Sequence, residues 1–553
     1  MSDAATAMSS HADNHSATHG GKPAEASSVK DTVMSLLIAF TIALIFRGVV
    51  LEPFQIPTGS MAPTLLGAHV RMYDKETGYS WPMSPSKFFD SGMQVATPVQ
   101  PVTEAREPNT NRLLPSFNAT ASSGDRIFVL KYLYPFGSPQ RWDIVVFRTP
   151  TSPQEYYIKR LVGLENEELA IVDGDVFTRP FKSDRNETPE QCWESKEWKI
   201  ARKPMRVQNA VWQLLFDSTY TPLNPTRDGR KWFTSPWIAS TGGWKDQETP
   251  VYTYTGAGAT SLAWDTKNRP ITDLNHYNDT PQLNYAGRMS RPVYPCSDLK
   301  VSFGYRPTGT TAGAVGGTIR VNGHEFRARI EPDGSATIAM RAAGDESWIT
   351  LAAATNKIPL KSDAITNIEF RHADQGLQLL VNESLVCEGA YDWTPAQRAA
   401  FATGKPLSAV LSLMVLPPPL SVASMYTSPE VSIDLPGACE LHRVSLARDL
   451  FYQPVSHMLP PKAGGPARGT HPNSLQVQQA NEFFFLGDNS PASLDGRLWG
   501  ESDPWVQTLI DPADGIVARD LIVGKAFCVF FPAMSKQWGR VPVPDLGQLR
   551  WIW

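Results

Sequence analysis

An apolar run near the start of the chain limits most strongly what this sequence can fold into. Residues 33–46 contain no charged side chain, and apart from Arg47 the apolar character continues to Leu51, which makes residues 33–51 a run of 19. A helix needs about 20 such residues to cross the hydrocarbon core of a bilayer. Arg47 lies near one end of the run, where a long cationic side chain can reach the lipid head groups. We therefore predict a transmembrane anchor helix over residues 31–51.

Two other interpretations of the run are less consistent with its surroundings. A cleaved secretory signal needs small residues after its apolar core, whereas this run continues as RGVVLEPFQIP. A buried core helix does not fit beside residues 1–30, whose polar composition without apolar periodicity predicts a disordered tail. The flanking charges leave the orientation open, because Lys22 and Lys30 are nearly balanced by Glu25 and Asp31.

Length and charge exclude several classes of protein. A chain of 553 residues is too long for one hydrophobic core, so we expect several domains. The net charge of −4 comes with no basic run, which argues against nucleic-acid binding. The five cysteines stand far apart without a C-x-x-C pair, so the sequence predicts no metal centre, no cofactor and no disulfide scaffold. The 46 prolines and 16 tryptophans favour a mainly β protein.

A candidate nucleophile follows the apolar run. Residues 54–65 read FQIPTGSMAPTL, in which Pro57, Thr58, Gly59 and Ser60 suit a tight turn that presents a hydroxyl and backbone N–H groups together. A serine in such a loop is ordinarily only part of a solvated turn. To act as a nucleophile its hydroxyl needs a base, which is usually a histidine. The histidines are poorly placed for this role, since they lie in the tail, just after the loop, in the long middle region or in a Pro/Gly-rich segment.

Lysine is the remaining candidate base. Residues 156–177 read YYIKRLVGLENEELAIVDGDVF, and strand alternation places Lys159 and Arg160 on opposite faces. Lys159 can take a proton only when its amine is neutral, and burial among apolar side chains lowers a lysine pKa far enough for that. The ordinary alternative is a strand lysine that faces solvent.

Four segments together resemble the sequence boxes of bacterial type I signal peptidases, in the same order. They are FQIPTGSMAPTL at 54–65, GDRIFVLK with PQRWDIVVF at 124–131 and 139–147, the lysine segment at 156–177, and GDNSPASLDGRLWG at 487–500. The resemblance covers about 51–68, 124–180 and 481–540, well under half of the chain. The sequence departs from the family pattern in three places: Trp142 replaces a Gly, Glu165 and Asn166 replace a Pro-Gly turn, and Gly496 replaces a Ser.

The resemblance implies a role for each motif residue. Ser60 would be the nucleophile and Lys159 its general base, with Ser493 orienting the lysine. The oxyanion hole would consist of the Ser60 backbone N–H and the Thr58 hydroxyl. Four further residues would support the site without reacting, Asp495 and Arg497 as an ion pair and Asp488 and Asn489 as braces of their turn.

The same resemblance implies a function and a location. The chain would be an endopeptidase that removes N-terminal signal peptides from exported preproteins after small residues, at A-x-A-like sites. It would act at the outer face of a bacterial cytoplasmic membrane, with the tail in the cytoplasm and the lipid bilayer and preproteins as partners. Two alternatives stay open: a Ser/Lys processing peptidase of narrow specificity, and an inert membrane-tethered binding protein.

A long insertion separates the motifs. Lys159 and Ser493 would have to meet, so the chain must leave the catalytic body (52–180, with an irregular insert at 69–123) and return to it at 481–553. Within the insertion, 181–298 is rich in tryptophan and predicts irregular, β-poor packing. Alternating polar and apolar residues over 299–455 predict a β-sandwich that resembles a concanavalin-like jelly roll, followed by a linker at 456–480. The sandwich would serve as a structural or docking module for an unknown ligand or partner.

The predicted fold class is therefore mainly β: a signal-peptidase-like β-fold body with one N-terminal transmembrane helix and an inserted, jelly-roll-like sandwich.

Overall fold

The computed structural model divides into two units, residues 1–50 and 51–553. It describes residues 29–84, 100–102, 105–115, 117–119, 121–278, 293–309, 313–362, 364–414, 417–455, 466–510, 513–532, 534–535, 543–544 and 546–552. Most of the predicted tail, residues 1–28, and residues 456–465 of the predicted linker lie outside these ranges.

The first unit contains one apolar helix. It runs as an α-helix over Val29–Ile45 and continues as a π-helical turn over Phe46–Val50. Its 22 residues have a mean hydropathy of 2.3, so by length and composition the helix can cross a membrane. The helix begins two residues before the predicted anchor, and Leu51 already belongs to the first strand.

The second unit begins with an antiparallel sheet that carries the sequence motifs, here called the body sheet. Its strands, in spatial order, are Leu51–Gln55, Arg126–Leu130, Ile522–Phe531, Ile144–Thr149, Ser152–Gly163, Glu482–Leu486 and Val517–Ala518, and Arg550–Trp551 pairs with Ile522–Phe531. Successive residues pack on opposite faces, as strand geometry requires. Ile144 and Val146 join one apolar cluster, whereas Val145 and Phe147 join another.

The chain segments at the two ends of the insertion pair with each other in a four-stranded sheet. Its order is Lys199–Ile200, Asp175–Pro180, Glu167–Val172 and Gln476–Gln478. Glu167 pairs with Pro180 on one side and with Gln478 on the other. The chain thus returns to the sheet from which it departed, as an inserted domain requires.

The insertion contains a sandwich of two antiparallel sheets. One has the order Trp244–Lys245, Val251–Tyr254, Cys439–Arg448, Leu299–Pro307, Thr366–Ala373, Gly376–Val381 and Ser384–Ala390, with Gln213–Asp217 also paired to Cys439–Arg448. The other has the order Trp237–Ala239, Thr260–Trp264, Glu430–Leu435, Val315–Val321, His324–Ile330, Ala336–Ala342 and Ile349–Ala353. Val301 and Phe370 of the first sheet share a core with Ile319 and Ile433 of the second. The predicted mainly β fold class with an inserted sandwich is confirmed.

The prediction of β-poor packing in the Trp-rich segment is wrong. Gln213–Asp217, Val251–Tyr254 and Thr260–Trp264 all pair with sandwich strands, so the sheets begin upstream of residue 299. Tyr252 and Trp264 are buried in the sandwich core. Strands of four or five residues carry too short an alternation to stand out among prolines and glycines.

The remaining described elements are short. The small sheets are Ser80–Met83 with His69–Tyr73 and Ala121–Ser122, Gln100–Val102 with Phe117–Ala119, Thr226–Arg227 with Arg230–Lys231, and Met534–Ser535 with Val543–Pro544. The α-helices are Leu133–Phe136, Pro189–Glu194, Met205–Val211, Pro395–Thr403, Leu407–Val410 and Pro504–Leu509. The 3-10 turns are Gly59–Met61, Ser218–Tyr220, Pro419–Ser421, Ala423–Met425, Pro472–Ser474, Ser490–Ala492, Arg519–Leu521 and Leu546–Gln548.

Candidate active site

Ser60 lies in a tight loop after the first strand of the body sheet, here called the serine loop (residues 56–68). The 3-10 turn Gly59–Met61 is closed by a hydrogen bond from the Ala62 N–H to the Gly59 carbonyl at 3.0 Å. Met61 and Leu65 are fully buried beneath the loop and anchor it to the sheet. Ser60 retains 8% exposure, so its hydroxyl lies at the edge of a buried site.

Lys159 lies directly beside this serine. It belongs to strand Ser152–Gly163, where it pairs with Val145, and it is 3% exposed. Its Nζ atom donates to Ser60 Oγ at 2.6 Å and to the Ile158 carbonyl at 3.2 Å. The two residues are 99 positions apart in the chain, so their contact is produced by the fold alone.

Burial increases the fraction of the Lys159 amine that is neutral near physiological pH. Loss of hydration lowers the pKa of Lys159 from 10.5 to about 8, against the opposing effect of the Asp495 and Asp488 carboxylates. A pKa near 8 leaves about a tenth of the amine neutral at pH 7 and half of it at pH 8. Once the amine is neutral, the Ser60 hydroxyl can donate its proton across the same 2.6 Å separation.

Arg160, the next residue, binds the carboxylate of Asp488. Both side chains are fully buried, and the guanidinium donates through Nε at 2.7 Å and through NH2 at 2.6 Å. The Thr64 hydroxyl donates to the same carboxylate at 2.6 Å. Asp488 therefore ties the lysine strand to the serine loop.

The other residues of the last motif, 487–500, bind the serine loop and one another. The backbone N–H of Asn489 donates to the Ser60 carbonyl at 3.0 Å, and its side-chain amide donates to the Gly59 carbonyl at 2.8 Å. Asp495 and Arg497 form a buried ion pair at 2.8 Å. Asp495 also accepts a hydrogen bond of 3.0 Å from the backbone N–H of Gly487.

Ser493 and Thr58 occupy different surroundings. Ser493 is fully buried beside Gly487, where a methyl group would come within 2.2 Å of Ser493 Oγ and 2.6 Å of the Ser60 carbonyl oxygen. Thr58 stands exposed at the start of the 3-10 turn, and its side chain makes no capping hydrogen bond. The structure thus brings seven of the eight predicted site residues into one hydrogen-bonded or closely packed group around Ser60, and it places the Thr58 side chain at the open edge.

The sequence motifs did not indicate a further group of residues against the serine loop. Asn275 and Tyr277, from the Trp-rich segment, donate hydrogen bonds to the carbonyls of Ala62 and Ala68. They lie more than 200 positions downstream of the loop. No local pattern in this segment reports such a contact.

One carboxylate cluster has the spacing of a metal site. Oxygens of Asp175, Asp298 and Asp374 lie within 4.8 Å of one another, and all three residues are buried. Arg398 lies 2.8 Å from Asp175 and 3.2 Å from Asp298, and Lys203 lies 2.7 Å from Asp374. Because these cations neutralise part of the charge, the residues fit a buried ion network between the body and the sandwich better than a metal site.

The pKa of Lys159 predicts the pH dependence of any reaction at Ser60. We expect kcat/KM to fall about tenfold for each pH unit below 8, because only the neutral amine accepts a proton. Asp495→Asn removes the carboxylate that most strongly raises this pKa, so the acid limb of the profile should move to lower pH. Asp514→Asn, at the more exposed Asp514–Arg468 pair, is the matched control and should leave the limb in place. An acid limb that stays in place or moves upward in Asp495→Asn contradicts the assignment of Lys159 as base.

Comparison with known proteins agrees with the motifs. The model of the family described as signal peptidase, peptidase S26, matches residues 108–211, which include Lys159. The signal peptidase I of Rickettsia typhi is 28% identical over 159 residues, which are 29% of this chain and 47% of that protein. That of Rickettsia prowazekii is 30% identical over the same shares. The chain spans about half the length of these curated relatives. The resemblance to type I signal peptidases is confirmed over this part of the chain.

Two solved structures from Bacillus subtilis are similar to part of the chain. A carbohydrate-binding module from Bacillus subtilis covers 38% of this chain and 96% of its own, at 9% identity and a TM-score of 0.22. A Bacillus subtilis protein with a galectin-like fold covers 43% and 99%, at 8% identity and a TM-score of 0.24.

Proposed function

We propose that this protein is a membrane-anchored serine endopeptidase that removes signal peptides from exported preproteins. The observation that carries the proposal is the 2.6 Å contact between Ser60 Oγ and the buried Lys159 amine, whose pKa is lowered to about 8. The similarity to signal peptidase I supplies the substrate class. The apolar helix Val29–Val50 would tether the enzyme to the bilayer that also holds its substrates, which replaces a three-dimensional search.

The proposed reaction is acyl transfer. Lys159 takes the proton of Ser60 while Oγ attacks the scissile carbonyl, and the resulting ammonium then protonates the leaving amine. A water molecule, deprotonated by the same lysine, attacks the acyl-enzyme carbonyl. The ammonium then returns the proton to the departing Ser60 Oγ, which regenerates the hydroxyl and the neutral amine. Ser493 would orient the amine, which otherwise has many rotamers on its flexible stem.

The negative charge on the tetrahedral intermediate requires hydrogen-bond donors close to it. The Ser60 backbone N–H and the Thr58 hydroxyl would fill this role. Thr58 is exposed at the open edge of the site, two residues before Ser60, and its hydroxyl would turn toward the oxyanion of a bound substrate. Asp488, Asn489, Asp495 and Arg497 would hold the two loops in place without taking part in proton transfer.

The proposal is tested with the full-length protein in detergent and a preprotein that carries an A-x-A cleavage site. We expect the wild type to cleave after the second alanine and Ser60→Ala to be inactive. Ser302→Ala, which removes a serine hydroxyl from the sandwich, should cleave like the wild type. Replacing the alanine before the scissile bond with phenylalanine should prevent cleavage.

Each alternative function predicts a different result. An inert binding protein would cleave no preprotein in either form. A peptidase of narrow specificity would process few preproteins from a diverse set, whereas a general signal peptidase should process most of them. Cleavage that persists in Ser60→Ala would contradict the assigned nucleophile.

A further inference from the structure

A short piece of the insertion lies against the serine loop, and we call it the inserted brace (residues 273–278). The Asn275 side-chain amide donates to the Ala62 carbonyl at 3.1 Å. The Tyr277 hydroxyl donates to the Ala68 carbonyl at 2.8 Å. These two bonds satisfy backbone acceptors on the C-terminal side of Ser60.

The Tyr277 ring also fills the space beside the 3-10 turn. A methyl group on Gly59 would lie only 2.1 Å from a ring carbon of Tyr277, so this ring excludes any side chain at position 59. Tyr277 forms a small apolar cluster with Ala62 and Leu66 of the serine loop. Its position therefore fixes the residue immediately before Ser60.

The brace also contacts the last motif. Asn278 and Asn489 exchange two amide hydrogen bonds, at 2.5 and 2.6 Å, so each side chain fixes the other. Asn489 in turn donates to the carbonyls of Gly59 and Ser60. The brace thus contacts both the serine loop and the last motif, residues 487–500.

Polar contacts connect the brace to the sandwich. Arg448, at the end of sandwich strand Cys439–Arg448, donates to the Asp273 and Leu274 carbonyls at 2.9 and 3.2 Å. The Asp273 carboxylate accepts hydrogen bonds from the Tyr294 N–H at 2.7 Å and from the Gln453 side chain.

Gln453 extends these contacts to the last motif. Its backbone N–H donates to Ser490 Oγ at 2.8 Å, and its carbonyl accepts from Arg497 at 2.6 Å. The sandwich therefore reaches both the serine loop and the last motif, residues 487–500, through a continuous set of polar contacts.

We infer that Asn275, Tyr277 and Asn278 are positioning residues of the serine loop, and that the inserted sandwich is thereby a working part of the catalytic unit. The inference rests on the proposed function, because it assigns the brace to the reaction at Ser60. The brace holds Ser60 at the distance from Lys159 that proton transfer needs, and displacements of about 1 Å at such sites cost about a hundredfold in rate.

The first test removes single hydrogen bonds. Tyr277→Phe and Asn275→Ala should each lower kcat about tenfold with little change in KM, because the substrate still binds. Tyr426→Phe is the matched control, since its hydroxyl donates to the Leu420 carbonyl at 2.9 Å and its ring packs in the sandwich core. It should leave kcat unchanged. Equal losses in Tyr277→Phe and Tyr426→Phe would mean that the effect is one of general stability, and the inference would be wrong.

A second test uses the contact between Gly59 and the Tyr277 ring. Gly59→Ala should lower kcat about a hundredfold, because the new methyl group and the ring cannot share the space. Adding Tyr277→Ala should restore part of that loss, so the double variant should exceed Gly59→Ala in activity. If the two losses simply add, the ring does not constrain the turn and the inference is wrong.

A third measurement does not depend on catalysis. Hydrogen exchange of backbone amides over residues 57–68 should be faster in Tyr277→Phe and Asn275→Ala than in wild type and Tyr426→Phe. If exchange is unchanged in both variants, the inference that the brace positions the serine loop is wrong, even if the protein cleaves preproteins. Faster exchange in a protein that cleaves nothing overturns the proposed function and leaves the brace as a structural contact only.

Discussion

Replacing Lys159 with methionine is expected to abolish cleavage and at the same time to stabilise the folded protein at neutral pH. Without its base, Ser60 loses the general-base contribution, which is about 10²- to 10⁴-fold in rate. Methionine fills a similar volume at this buried position and carries no charge that must be desolvated. Cleavage of the preprotein and thermal unfolding, measured on the same samples, give the two results.

The stability gain has a definite pH window. Burial lowers the pKa of Lys159 from 10.5 to about 8. At about 1.4 kcal/mol for each pH unit between these two values, the buried ammonium lowers the free energy of unfolding of the wild type by about 3 kcal/mol. Below pH 8 the amine is protonated in both folded and unfolded chains, so the full cost applies. Between pH 8 and 10.5 the unfolded chain binds more protons, and the stability of the wild type rises. The advantage of Lys159→Met should therefore be largest below pH 8 and disappear toward pH 10.5.

Lys203 provides a control with the opposite sign. Its side chain is also 3% exposed, but it lies 2.7 Å from Asp374 and 2.8 Å from Asp449. Burial alone would lower its pKa, and the carboxylates of Asp374, Asp449 and Asp175 instead raise it well above 10.5. Lys203→Met leaves buried carboxylates without their cation and should lower the unfolding temperature. If the unfolding temperature rises in both Lys159→Met and Lys203→Met, then the methionine side chain itself, and not the removal of a charge, stabilises the fold.

The motif residues were predictable because each carries its chemistry within a short string. Ser60, Lys159 and Asp488 each lie in a segment that resembles one family box, and strand alternation indicated that Lys159 and Arg160 point apart. The structure places the Arg160 guanidinium on the buried carboxylate of Asp488. What the motifs could not indicate is which partners the insertion would bring to them.

Trp142 illustrates this limit. It occupies a position with φ of 76°, a left-handed conformation that favours glycine and costs other residues about 1–3 kcal/mol. The ring offsets this cost by docking on the insertion, where its Nε1 donates to the Arg202 carbonyl at 3.2 Å and Lys203 Nζ lies 5.1 Å from the ring centroid. In the sequence, Trp142 is only a departure from the family pattern. The residue that accounts for it, Arg202, lies 60 positions downstream.

The other two departures have similar explanations. Asn166 adopts a φ of 59°, which asparagine tolerates better than most residues, so it can replace the glycine of a Pro-Gly turn. A methyl group on Gly496 would lie 2.5 Å from the Phe484 ring and 2.7 Å from the Gly515 carbonyl oxygen, so a serine does not fit there. These substitutions accommodate neighbours and leave the hydrogen bonds around Ser60 in place.

Substituting alanine for Gly487 should lower kcat about a hundredfold without unfolding the protein, because displacements of about 1 Å at a catalytic centre have effects of that size. The added methyl group would lie 2.2 Å from Ser493 Oγ and 2.6 Å from the Ser60 carbonyl oxygen, so both must move. That shift displaces Ser60 and the residue proposed to orient Lys159 in a single step. KM should change little, since the substrate-binding edge is untouched.

Gly258→Ala separates this effect from the general cost of replacing a glycine. No atom lies within 4 Å of a methyl group built on Gly258, so the variant should keep wild-type kcat. If Gly487→Ala retains full kcat, then neither Ser493 nor the Ser60 carbonyl is held as tightly as the structure indicates, and Ser493 loses its proposed role. If kcat falls and the acid limb of the pH profile also shifts, the displaced Ser493 has changed the surroundings of the Lys159 amine. A fall in kcat with an unchanged limb instead assigns the loss to displacement of Ser60 alone.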